Sequence, residues 1–392
     1  MTKILALTGA DAAAEAMRQV HPDVVAAYPI TPQTGIVQTY SSFVADGLVD
    51  TEMVTVESEH SAMSAVVGAA SAGARAMTAT SANGLALMWE IVYIAASYRL
   101  PIVAPVVNRA LSGPINIHCD HSDSMGCRDS GWIQLFSENT QETYDNIIQA
   151  VKIGENKDVM LPVMITLDGF IISHVMERVE ALEDEEVSKF VGTFTAKYPL
   201  LDVDNPVTYG PLDLQDYYFE HKRQQYQAMQ NSADVIKNVG KEFGALSGRY
   251  YDLLELHKME DAEFAIIALG STAGTAKYLV DQMRNEGKKV GMIKIRSFRP
   301  FPIEDLRLAV KKLKGLSVLD RSISFGAKGG PVFVEVESAL FRTGIDIPVL
   351  NYIYGLGGRD ITPTEMRISF SDLEKAVKGE KFPAVQFIGL RG

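Results

Sequence analysis

Short, wholly apolar runs alternate with stretches of helical period along most of the chain. Strands buried on both faces of a parallel sheet, with helices packed against them, produce this pattern. The predicted strands of a first unit are Ile4–Leu7, Val24–Ala27, Met53–Val56, Arg75–Thr80, Pro101–Val107, Trp132–Phe136 and Val163–Leu167. Helices are predicted from Gly9 to Val20, Gln33 to Phe43, Ser61 to Gly73, after Gly84 to about Tyr98, and Thr140 to Gly154, the last capped by Asn139 or Thr140. Ser81-Ala82-Asn83-Gly84 reads as a loop. Pro32 suits a first helical turn, which makes Thr31 the N-cap of the helix that follows.

The alternation predicts an α/β fold with a doubly wound, largely parallel sheet over residues 1–175. From 176 to 261 the character changes to an acidic run (Glu180, Glu183, Asp184, Glu185, Glu186), a loop from Tyr198 to Leu212 and a polar helical pattern from Gln215 to Met259. That segment reads as helical and packed at a domain junction. Residues 262–392 open a second, smaller α/β unit. Its strands are Phe264–Leu269, Val290–Ile295, Ser317–Leu319 and Val349–Ile353, with helices from Gly270-Ser271-Thr272, from Ile303 to Leu313 and up to Phe341. No element is predicted beyond Ile353.

The acidic turn after Met53–Val56 carries the most pointed chemistry. Glu57 and Glu59 are two apart, which on an extended chain puts both carboxylates on one side. The helix behind them is built of Ala, Ser, Gly and Val without a charge, so it is expected to be buried and closely approached. A carboxylate at its head leaves water for a low-dielectric interface and needs a partner or a proton. A plain position at the helix N-terminus, favoured by the dipole with Ser58 or Ser61 as cap, stands beside that reading. Thr31 likewise has two roles, cap or receiver of an anionic group. Arg109, at the end of Pro101–Val107, is placed either to grip a carboxylate or phosphate or to pair with a neighbouring acid.

Composition narrows the partners. The chain has 392 residues, 47% hydrophobic and 22% charged, which suits two globular domains. A net charge of -12 argues against nucleic acid or an anionic membrane surface. The most apolar region, Leu85 to Val107, is broken by Glu90, Arg99 and Pro101, and the N-terminus lacks the features of a secretory or transit signal, so a cytoplasmic protein is expected. Two cysteines, Cys119 and Cys127, are too few for a disulfide framework or a four-thiolate cluster. In the polar stretch Leu111 to Gly131, the residues His118, Cys119, Asp120, His121, Asp123 and Cys127 match no zinc spacing. Unpatterned loops of that length are usually functional.

Taken together, Tyr28-Pro29-Ile30-Thr31-Pro32, Ser58-Glu59, Ala82-Asn83-Gly84-Leu85, Asn108-Arg109-Ala110-Leu111, Cys119-Asp120-His121-Ser122-Asp123 and Leu167-Asp168-Gly169-Phe170 resemble the α subunit of the 2-oxoacid:ferredoxin oxidoreductases. Within that family the pyruvate enzymes are the most similar, and the resemblance covers nearly the whole chain. It implies a thiamine diphosphate pyrimidine-binding domain at 1–175 and a transketolase C-terminal-like domain at 262–392. Pyruvate, CoA and oxidised ferredoxin would give acetyl-CoA, CO2 and reduced ferredoxin, reversibly. By position, Glu59 would bond N1′ of the aminopyrimidine, with Glu57 as runner-up. Thr31 and Arg109 would hold the oxoacid, and Tyr28, Pro29 and Ile30 would lie along the cofactor. There is no Gly-Asp-Gly motif, since Leu167 precedes Asp168-Gly169. The resemblance therefore assigns magnesium and the diphosphate to a β subunit, and [4Fe-4S] clusters to γ and δ type subunits or domains. Another 2-oxoacid, such as 2-oxoglutarate or a branched-chain acid, and a non-catalytic scaffold role are the alternatives.

Overall fold

The computed structural model describes residues 3–391. Its strands are β1 (Lys3–Thr8), β2 (Val24–Ala27), β3 (Glu52–Thr55), β4 (Ala76–Met77), β5 (Val103–Asn108), β6 (Ile133–Phe136), β7 (Val163–Asp168), β8 (Met176–Ala181), β9 (Leu254–His257), β10 (Phe264–Ala268), β11 (Val290–Ile295), β12 (Ser297–Arg299), β13 (Gly315–Asp320), β14 (Val349–Ile353) and β15 (Gln386–Phe387). Two α/β layers result. A seven-stranded sheet runs β12-β6-β7-β5-β4-β2-β3, and a six-stranded sheet runs β15-β14-β13-β10-β11-β9. The first is parallel except at β12, the second except at β9. Every residue of β5, β6 and β7 is buried, as their apolar runs require.

Strand order fixes where a ligand can enter. After β2 the chain crosses to β3 on one side, and then returns to place β4 on the other side of β2. The helix after β2, Thr34–Ala45, sends Ile36 and Tyr40 into the core on one face of the sheet. The helix after β3, Glu59–Ala72, sends Ala62, Met63 and Val66 into the core on the other face. Connections that part in this way leave a crevice at the carboxyl ends of the strands. Tyr28, Glu59, Gly84 and Arg109 all follow strands of this one edge.

Several local expectations are corrected. β1 leaves the main sheet to pair antiparallel with β8, and β9 closes the edge of the second sheet, so two strands interrupt the stretch 176–261 read as helical. The helical part is Asp184–Val191 and Tyr218–Ser247. Ser81 to Gly84 is not a loop, because a helix begins at Ala82 and runs to Leu87. Glu57 and Glu59 do not share a strand face, because Glu59 is already the first residue of its helix. A further helix, Pro363–Ala376, packs beneath the second sheet and was not predicted.

The two layers are stitched together by charge as well as by β12 on β6. Buried Lys294 of β11 lies between Glu138, Glu142 and Glu255, its Nζ 2.7 Å from Glu138. Burial opposes the ammonium, and three carboxylates outweigh it, holding its pKa above the ordinary lysine value.

Candidate active site

Glu59 heads the helix Glu59–Ala72, with the Ser58 hydroxyl accepting from the Ser61 amide as its cap. Its side chain is 7% exposed and its carboxylate accepts no hydrogen bond among the described residues. Gly84 shows why the carboxylate sits where it does. A Cβ built on Gly84 would lie 2.7 Å from Glu59 Oε1 and 2.6 Å from Thr80 Oγ1. Only glycine lets the turn after β4 come so close. Thr80 Oγ1 is itself buried and has no hydrogen-bond partner among the described residues. A buried hydroxyl is thus left unsatisfied beside an unbonded carboxylate, and native interiors rarely tolerate such an orphan without a ligand or water. Gly84→Ala should push the carboxylate aside and lower turnover by about tenfold to a hundredfold, measured on the purified complex; unchanged turnover would separate the Gly84 contact from the chemistry.

Glu57 is exposed and bonded to the Ser61 hydroxyl, which holds its carboxyl below the usual carboxylate range. Solvent and a local partner already satisfy it.

The next strand end supplies the cation. Arg109 is 7% exposed; its Nη1 donates to the Thr31 carbonyl at 2.8 Å and its Nε to the Asn116 carbonyl at 3.0 Å. No carboxylate pairs with the guanidinium among the described residues, and Nη2 is uncommitted. The ion pair to a neighbouring acid considered for Arg109 is therefore not formed. Thr31 is not an N-cap. The Ile30 carbonyl accepts from both Gln33 and Thr34, a turn that delays the helix to Thr34 and frees the Thr31 hydroxyl. Tyr28, Pro29 and Thr31 are exposed along the crevice and Ile30 is half-buried. The buried Gln33 amide holds this turn, donating to the Ala79 carbonyl at 2.9 Å and accepting from the Ile30 amide at 3.2 Å.

Asp123 binds the two strand ends to each other. One carboxylate oxygen accepts from the amides of Ala82 and Arg109, both at 3.0 Å, and the other from Asn108 Nδ2 at 2.8 Å and the Ser124 amide at 2.7 Å. Burial pushes its pKa up to about 6 against those donors. Sequence singled out the polar loop but not this function within it. Asp168, at the end of β7, meets His121 Nε2 at 2.8 Å, the Ser271 hydroxyl at 2.5 Å and Arg321 Nη1 at 3.0 Å. Cys119, His121 and Asp168 bring ligand-type atoms within 4.8 Å of one another. Burial raises the Cys119 thiol well above its ordinary pKa, and the Asp168 carboxylate pairs with Arg321, which makes the cluster an ionic junction between the layers. The loop from Leu111 docks on the same junction, with Asn116 Nδ2 donating to the Gly357 carbonyl at 3.0 Å.

A family model described as pyruvate flavodoxin/ferredoxin oxidoreductase, thiamine diphosphate-binding, matches residues 15–241. The chain belongs to this family. A second model, pyruvate:ferredoxin oxidoreductase core domain II, matches residues 262–366. Among oxidoreductases of the family, pyruvate synthase subunit PorA of Thermotoga maritima is 61% identical over 99% of this chain and 98% of its own. The same subunit of Methanocaldococcus jannaschii is 48% identical over 96% of each chain. Ketoisovalerate oxidoreductase subunit VorA of Pyrococcus horikoshii is 44% identical over 96% of this chain and 95% of its own. In fold, the chain is similar to 2-oxoglutarate:ferredoxin oxidoreductase from Magnetococcus marinus, with TM-score 0.73 at 20% identity over 94% of this chain and 65% of that one. No helix among the described residues is long and apolar enough to cross a membrane.

Proposed function

We propose that this chain is the α subunit of a pyruvate:ferredoxin oxidoreductase, joining pyruvate and CoA to form acetyl-CoA and CO2 while electrons pass to ferredoxin, reversibly. Identity of 61% to a pyruvate synthase subunit across both full chains supports the substrate, and the buried, unbonded Glu59 carboxylate carries the chemistry. A carboxylate and the orphaned Thr80 hydroxyl, both packed against Gly84, fit the polar edge of a flat heterocycle with a basic ring nitrogen. Thiamine diphosphate, when bound, supplies the carbon nucleophile and the electron sink for decarboxylation. Glu59 holds or gives up the proton at N1′ of its aminopyrimidine, in a site dry enough for that proton to matter. Tyr28, Pro29 and Ile30 lie along the ring. Arg109 Nη2 and the Thr31 hydroxyl orient the oxoacid, through its carboxylate and carbonyl, with Asp123 fixing the arginine's main chain. Residues 1–175 are then the pyrimidine-binding domain, 176–261 the connecting segment and 262–392 the transketolase-like domain. A β subunit holds magnesium and the diphosphate, and γ and δ type subunits or domains carry the [4Fe-4S] clusters, in a cytoplasmic complex.

Arg109→Ala tests the reading. The loss of a charged hydrogen bond to substrate, about 1.5–3 kcal/mol, should raise KM for pyruvate by roughly tenfold to a hundredfold in the intact complex. An unchanged KM with impaired assembly would instead make this chain a scaffold. The 44% identity to a ketoisovalerate oxidoreductase subunit favours one second reading, the same chemistry on a branched 2-oxoacid. Turnover of pyruvate against 2-oxoisovalerate on one preparation decides between them.

A further inference from the structure

A cleft of about 660 Å³ opens at the other end of the first sheet, where the chain enters β5 and β7. Arg99 and Pro101 precede β5, and Lys157 and Met160 precede β7. The six residues of β5 separate this cleft from Arg109, roughly 20 Å at 3.3 Å per residue. Its walls carry Arg99, Lys157 and Lys197 together with Tyr98, Tyr198 and Tyr209, and no aspartate or glutamate. In a chain of net charge -12, three cations around one cleft without an acid are a marked local reversal of sign.

The charges are not spent on each other's counterions. Arg99 donates Nε to the Met160 carbonyl at 3.0 Å and Nη2 to the Val159 carbonyl at 2.5 Å, neutral acceptors that fix the fork without cancelling its charge. Burial lowers its pKa, the sign of a cation without a carboxylate beside it. Lys157 and Lys197 form no ion pair among the described residues, whereas eight other lysines do. Lys197 instead lies over the Tyr198 ring, 5.0 Å from its centroid. Tyr98 and Tyr209 meet with ring centroids 5.7 Å apart, and the Tyr209 hydroxyl donates to the Tyr198 carbonyl at 3.0 Å, tying the loop over the cleft. Gly210 lets that loop close, since a Cβ there would fall 2.0 Å from the Tyr98 hydroxyl.

We propose that this cleft is a second ligand site that takes a phosphorylated ring compound of the nucleoside diphosphate class, its phosphates on Lys157, Lys197 and Arg99 and its ring among the tyrosines. The volume falls within the range of small-molecule sites, about 300–1,000 Å³. Aromatic faces and unpaired cations in one cleft match the two halves of such a ligand. A ligand there spans the Tyr198–Tyr209 loop and the entries to β5 and β7, so it acts on the chain's stability and not on the substrate carboxylate. The proposal is independent of the substrate assigned above.

Calorimetric titration of the full chain with ADP, inorganic pyrophosphate and adenosine separately is the test. ADP should bind at least tenfold more tightly than either fragment, and K157E/K197E should abolish binding while Arg109→Ala retains it. The two lysines are exposed, so the double variant is expected to fold, which circular dichroism verifies. No ADP binding, equal binding of pyrophosphate, or full binding by the double variant each overturns the site.

Discussion

Glu59→Gln leaves the purified complex assembled and cuts pyruvate-dependent ferredoxin reduction by about 10²–10⁴-fold, the range that a positioned acid–base group supplies. The substitution keeps shape and polarity and removes the titratable carboxyl group. It also relieves the helix head of a desolvated charge, so stability should hold or rise. Sedimentation of the complex and turnover of the same sample give the two readouts, and normal turnover would remove Glu59 from the mechanism. Glu57→Gln is the matched control, because that carboxylate is exposed and already bonded to Ser61; its turnover should stay near wild type. The contrast rests on position alone. One glutamate faces water, and the other is pressed between the turn at Gly84 and a helix of small residues.

Where local pattern decided structure, it was legible. β2 and the helix Thr140–Gly154 have the predicted bounds, the latter capped by Asn139, because a full apolar run and a capping side chain are properties of a few adjacent residues. β1, β8 and β9 depended on partners 35 to 178 residues away, which no local window contains: Lys3 faces Ala181, and Met292 faces His257. Ser81-Ala82-Asn83-Gly84 carries loop-like residues, yet Asp123 holds the Ala82 amide and lets a short helix start there. The last helix was legible and missed. Thr362, Pro363 and Glu365 form a capping box with proline at the first turn.

Glu59, Thr31 and Arg109 were legible as candidates beyond strand ends, and the structure joins the Arg109 guanidinium to the Thr31 main-chain carbonyl. The supporting polar groups were not legible. A buried Gln33 amide, an orphaned Thr80 hydroxyl and an aspartate that binds two strand ends are defined by neighbours far along the chain, and the residue types themselves are common on surfaces. Asp168 is the extreme case. It was noticed as part of a motif, and its function as a tie between the layers appears only when Ser271 and Arg321 fold onto it.

Asp168→Asn should therefore be the most damaging conservative change for stability, at about 3–5 kcal/mol, the cost of leaving one partner of a buried ion pair uncompensated. Arg321 is 4% exposed and Asp168 1%, so water cannot replace the lost charge. Among the described residues, the Arg321 side chain then retains only the Gly355 carbonyl as acceptor, 3.2 Å from Nε. Burial works against the Asp168 charge, and His121, Arg321 and Ser271 overcome it, holding the carboxyl far below the usual carboxylate range. A folded-state pKa below the unfolded one means stability that is present above the unfolded value, near 3.9, and is lost as pH falls through the folded value. The gap between wild type and Asp168→Asn, read from urea midpoints, should thus be full at pH 7 and persist at pH 5. It closes only in strong acid, where the wild-type carboxyl takes up its proton. A gap that is already small at neutral pH would mean that the packing of β12 on β6 and the Lys294 cluster hold the layers together without this pair. The ordering matters for function as well. His121 and the Arg321 carbonyl meet at 2.8 Å on the same loop that carries Asn116 to Arg109, so a loosened junction should raise KM for pyruvate before the fold is lost.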